Sequence, residues 1–124
     1  MTERPQRTYV AAVVEVYLKL PDTPQRAKQP DRALAARWET EAIPVSLVES
    51  ALLLASLRRL LRPADAPPLP PIRALAYFQP VIAELRRQPL PDDYADYLRR
   101  KIAKYLSQPP SPAGVQNSTV SRDR

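Results

Sequence analysis

A chain of 124 residues with a net charge of +6 has room for one modest domain. It contains no histidine and no cysteine, and its single glycine, Gly114, lies near the C-terminus. That composition excludes imidazole and thiolate zinc ligands, Ser-His and Cys-His nucleophile pairs, disulfides and glycine-rich phosphate loops, so neither an enzyme nor a cofactor is expected.

Residues 7–106 are expected to form one all-α bundle of about five helices, cut into pieces by 16 prolines. The first helix spans Arg7–Lys19, with Val10, Val13, Val14 and Tyr17 on one face and Leu20 extending the stripe. Pro21 ends it, and the polar stretch to Pro30 reads as a loop. A second helix starts at Asp31 as N-cap and runs to Ala42, with Leu34, Trp38 and Ala42 recurring every four residues.

Pro44 makes a corner, and Ser46 with Glu49 matches the S-x-x-E capping box for a third helix, Leu47–Leu61. At 100° per residue, Leu47, Ala51, Leu54 and Ala55 share one face, and Leu53, Leu57 and Leu60 lie nearly opposite. A helix apolar on both sides belongs in the middle of a bundle, and Leu54 marks its centre. The same property argues against a DNA-reading helix-turn-helix, whose second helix needs a polar face for the groove. Arg62–Pro71 (RPADAPPLPP) is a stiff, extended connector.

A fourth helix is expected over Ile72–Arg87, kinked near Pro80, which lacks an amide and clashes with the preceding turn. The fifth, Asp92–Leu106, carries Tyr94, Tyr97, Leu98, Ile102 and Tyr105 on one stripe. Residues 107–124 are polar and rich in proline and serine, which reads as a disordered tail. No strand alternation, hairpin signal, internal repeat or membrane span is present. Without a signal-peptide pattern, a cytoplasmic protein is expected.

The positive charge favours an acidic partner, either nucleic acid (DNA or RNA) or an acidic or helical protein. Arginine outnumbers lysine 15 to 4, and such an Ala/Leu/Pro/Arg bias also follows from GC-rich coding, so charge alone assigns no partner. The candidate phosphate-binding set is Arg58, Arg59, Arg62, Arg73, Arg86, Arg87, Arg99, Arg100 and Lys104, several of which can converge on one surface if helices four and five fold back on helix three. The same residues also suit ordinary pairing: Asp96, Arg100 and Lys104 follow at four-residue steps, and Glu84 precedes Arg87 and Gln88. Tyr77, Phe78, Tyr94, Tyr97 and Tyr105 are the right chemistry for stacking on unpaired bases, although the apolar stripe of helix five places its tyrosines in the core or at its rim. Asp92, Asp93, Asp96 and Glu84 are read as helix-start charges rather than as a magnesium site.

The stretches RALAARWETEAIPVSLVESALLLASLRRL (Arg32–Leu60) and PPLPPIRALAYFQPVIAEL (Pro67–Leu85) are similar to helical C-terminal segments of replication-initiator-like proteins of bacterial plasmids, phages and integrated elements. Those segments resemble, loosely, the DnaD-type helical module. The resemblance implies an accessory role in DNA binding during replication and contains no catalytic motif.

Overall fold

The computed structural model describes residues 8–91 and 93–107. Within them the chain forms α1 (Tyr9–Lys19), α2 (Gln29–Thr40), α3 (Val45–Leu60), a 3₁₀ turn (Leu75–Phe78), α4 (Gln79–Arg87) and α5 (Tyr94–Ser107), with no strand among the described residues. The all-helical bundle read from the sequence is the architecture observed. Arg7, Asp92 and the tail residues 108–124 lie outside the described residues, and Ser107, assigned to the tail by the sequence, is the last residue of α5.

Thr8 caps α1 by accepting the Ala11 N–H at 3.0 Å. The helix ends at Leu20, whose extended backbone is the conformation a following proline demands. Val13, Val14, Tyr17 and Leu20 face the core, as their spacing requires, and Val10 is half-buried.

Asp31 does not cap α2. The helix begins two residues earlier, with Lys28 at the cap and Pro30 in the first turn, where a missing amide costs nothing. Asp31 instead reaches back so that Oδ2 accepts the Lys28 N–H at 2.9 Å, while Oδ1 accepts the Leu75 N–H at 3.0 Å. A buried carboxylate thus satisfies two amides and ties α2 to the 3₁₀ turn.

At the other end of α2, Ala42 takes a positive φ of 62°. Its N–H reaches the Glu39 carbonyl and the Ile43 N–H reaches the Trp38 carbonyl, the pairing of a Schellman termination, with Ile43 and Trp38 both buried. Ala42 is therefore an exposed helix terminator rather than part of the apolar stripe.

The Ser46–Glu49 box does not form. α3 starts at Val45, two residues ahead of the expected start, and the Pro44 carbonyl accepts the Leu47 and Val48 amides. Glu49 pairs with Arg99 instead.

α3 is the central helix, touched by α1, α4, α5 and the 3₁₀ turn. Its deepest residues are Val48, Ala51 and Leu52; Leu54 and Leu47 are only half-buried. α1 and α3 run in the same direction, since Tyr9 Oη donates to the Ile43 carbonyl at 2.8 Å at one end and Pro21 lies beside Ser56 at the other. α4 runs opposite to α3, with Val81 beside Ala55 and Leu85 beside Ser46. α5 runs with α3: Arg99 meets Glu49, and Ile102 lies by Leu53.

The connector expected to be extended over Arg62–Pro71 opens with a turn, in which the Ala66 N–H donates to the Pro63 carbonyl at 3.0 Å, and is free of turns only from Pro67 through Ala74, so Ile72–Ala74 are not helical. The Ile72 N–H donates to the Asp22 carbonyl at 2.9 Å, which holds this segment against the loop after α1. The break expected at Pro80 is realised as a change from 3₁₀ to α geometry at Gln79, which leaves Pro80 harmlessly in the first turn of α4. None of the described helices is long and apolar enough to cross a membrane.

Candidate nucleic-acid interface

The sequence of α5, YADYLRRKIAKYLS, has a narrow apolar stripe. Leu98 and Ile102 are its only buried residues, and they turn toward α3. At 100° per residue an arc of about 140°, running from directly opposite that stripe at Arg100 to its edge at Tyr105, carries Arg100, Lys104, Tyr97, Lys101 and Tyr105 in that order around the helix. All five are exposed, and the two tyrosines keep 41% and 42% of their surface open. Tyr97 leans on Tyr94, with ring centroids 5.2 Å apart and planes tilted by 40°, which limits the rotamers it samples. Among the described residues no hydrogen bond or ion pair engages the side chains of Arg100, Lys101 or Lys104.

Tyr94 packs half-buried against the core, and Tyr97 and Tyr105, each more than half covered, sit at its rim, one of the two placements expected from the stripe. α3 covers the Leu98–Ile102 strip, Tyr94 and Ala95 pack half-buried against the core, and the remaining described residues of α5 are exposed. The expected Asp96–Arg100 pair is also absent. Asp96 binds Arg99 at 2.9 Å, and Arg99 in turn reaches Glu49 at 3.4 Å, which leaves Arg100 uncommitted.

The nine basic candidates do not converge on one surface. Arg58, Arg59 and Arg62 do come together at the end of α3, around a groove of about 440 Å³ that Tyr77 and Val81 also line. They are consumed there by internal contacts. Arg58 makes a two-pronged bond to Glu84, 2.9 and 2.7 Å, which raises the guanidinium pKa and, through the same hydrogen bonds, holds the Glu84 carboxyl below its ordinary value. The Glu84 partner expected from sequence was Arg87 or Gln88; Arg87 only adds a weaker field, and the Gln88 backbone amide closes the helix on the Glu84 carbonyl.

Arg59 is the most enclosed of the set, its side chain only 9% exposed. It donates to Tyr77 Oη at 3.1 Å, Asp22 Oδ2 at 3.2 Å and the Pro70 carbonyl at 3.0 Å. Burial works against its charge, and the bonds to Tyr77 and Asp22 outweigh that, so its pKa stands raised. Arg62 donates to the Pro67 carbonyl at 2.7 Å and fastens the connector. Tyr77, with its hydroxyl on Arg59, belongs to this clamp.

Arg99 belongs to a different groove, between α1, α3 and α5, where Glu15 and Glu49 are its neighbours. Arg86 and Arg87 are exposed in the last turn of α4, where the helix dipole favours cations, and Arg73 is exposed on the extended segment. Among the described residues no group of three or more metal-ligating side chains is assembled.

Of the nine, Arg58, Arg59 and Arg62 share a groove with Tyr77, 44% exposed, and Arg100 and Lys104 share a side of α5 with Tyr97 and Tyr105. Lys101 completes that side of α5 and was missed in the sequence, although the signal is there: Tyr97, Lys101 and Tyr105 recur at i, i+4 and i+8. No family model, curated protein or solved structure matches the chain.

Proposed function

We propose that this chain is a non-enzymatic module that binds nucleic acid through the outward face of α5. The observation that supports it is the contrast between two kinds of cation. Arg58, Arg59 and Arg99 are matched to Glu84, Asp22, Glu49 and Asp96, whereas Arg100, Lys101 and Lys104 have no acidic partner among the described residues and lie beside exposed tyrosines. Unmatched cations along one rigid helix suit a phosphate chain, because each neutralised phosphate releases a condensed counterion. A replication setting in a bacterial mobile element follows from the sequence resemblance and is part of the same proposal.

The test is the triple substitution Arg100→Glu, Lys101→Glu and Lys104→Glu. It should weaken DNA binding at least tenfold and flatten the dependence of log affinity on log salt, with helicity preserved. An unchanged affinity in the folded triple variant removes the proposal.

A second reading, an adaptor for a helical protein segment, is favoured by the groove between α1, α3 and α5. It measures about 530 Å³, with Leu20, Leu53 and Ile102 along its floor and charges of both signs, Lys19, Arg99, Glu15 and Glu49, at its edges. A parent protein that shows no salt-dependent DNA affinity moves the weight to this reading.

A further inference from the structure

We infer that the strand bound on α5 is single-stranded, an inference that rests on the nucleic-acid reading above and names its ligand. A duplex offers its outside only as phosphate and groove edges, and cations alone suffice for the phosphates. Unpaired bases expose flat faces, and aromatic rings standing free of the core are what such faces stack on. α5 supplies both in one register. Tyr97 and Tyr105 lie eight residues apart on the same side, roughly 12 Å along the axis, with Lys101 midway and Arg100 and Lys104 flanking the row.

An extended strand laid along this row meets a ring, a set of cations and a second ring in turn. The rings can stack two bases while the cations hold the phosphates between them. The row contains neither Asn nor Gln, the side chains that read adenine through paired bonds, and its Arg and Lys lie along one helix at the spacing of a phosphate chain. Little sequence preference is therefore expected. The tilted contact with Tyr94 holds Tyr97 in place before a base arrives, which lowers the entropy lost on stacking.

The full chain is titrated by fluorescence anisotropy against a labelled oligothymidine and against a duplex hairpin of equal charge, at one ionic strength. The parent should prefer the single strand about tenfold or more. Tyr97→Ala with Tyr105→Ala should lower single-strand affinity about 30-fold or more, leave the salt slope and the duplex affinity unchanged, and be rescued by the corresponding Phe pair. In the parent, the ring protons of both tyrosines should shift upfield on adding oligothymidine, a readout that does not depend on the variants folding.

Equal affinity for the two ligands, or an alanine pair that binds the single strand like the parent, overturns the single-strand inference while the nucleic-acid reading stands. A parent that binds neither ligand overturns both.

Discussion

Ala42 holds a left-handed backbone, φ 62°, at a position where glycine avoids the clash of a Cβ with the neighbouring carbonyl. The Schellman bonds and the burial of Ile43 keep it there. Ala42→Gly relieves the strain at the cost of some unfolded-state entropy, and should stabilise the fold by about 0.5–1 kcal/mol. A higher urea midpoint at unchanged m-value is the expected signature. Tyr17 poses the reverse problem. Its ring is fully buried against Phe78, but the hydroxyl finds no partner among the described residues. Burial, with the Asp31 charge adding to it, pushes the phenol up to about 12. Its pKa is thus higher folded than unfolded, so above about pH 10 the unfolded chain loses the proton first and stability falls as pH rises. Tyr17→Phe removes both effects. It should be more stable by about 1 kcal/mol at neutral pH and lose less stability between about pH 10 and 12, with the rest of the decline left to Tyr9, itself pushed to about 12 by burial and by Glu39 and Glu41. Thermal midpoints across that pH range check it.

At the scale of elements, α3 was legible as the central helix, because apolar residues on both of its sides can be covered only by neighbours on both. Which leucine sits deepest was not legible. The helical projection points to Leu54, but with α1, α4 and α5 packed on α3 it is Leu52 that is fully buried, while Leu54 keeps some contact with solvent. Leu52→Ala should cost about 2–5 kcal/mol and Leu54→Ala clearly less. Chemical denaturation of the two variants side by side tests the order, and equal losses would contradict the packing described. The start of α3 was misread for a related reason. A capping box is a local signal, and Pro44 after the Ala42 turn opens the helix earlier, which leaves Glu49 to a tertiary partner.

At the scale of the molecule, Arg59 works as a clamp. One guanidinium joins the end of α3 to the loop after α1, the proline connector and the 3₁₀ turn. Arg59→Met keeps much of the buried stem but loses the bonds to the Pro70 carbonyl and the Tyr77 hydroxyl, which water can replace at these exposed residues, so a loss of about 1–2 kcal/mol is expected. Its affinity for nucleic acid, measured on the folded protein, should stay at the parent value. A weakened affinity there would return Arg59 to the binding surface from which its burial removes it.

The pattern of apolar and proline residues determines the helices of this bundle, the absence of strands among the described residues and the central place of α3, because periodicity and punctuation act within a turn or two of chain. The basic candidate set shows where that reach ends. Charge and spacing cannot distinguish a cation that meets Glu84 from 26 residues away from one that meets only water. Tertiary packing makes that distinction. It pairs Arg58, Arg59 and Arg99 with acids from other elements, and by burying only Leu98 and Ile102 of α5, with Tyr94 and Ala95 half-buried, it leaves Tyr97, Arg100, Lys101, Lys104 and Tyr105 exposed. Whether a side chain's charge or ring remains available to a ligand depends on which distant groups the fold brings to it.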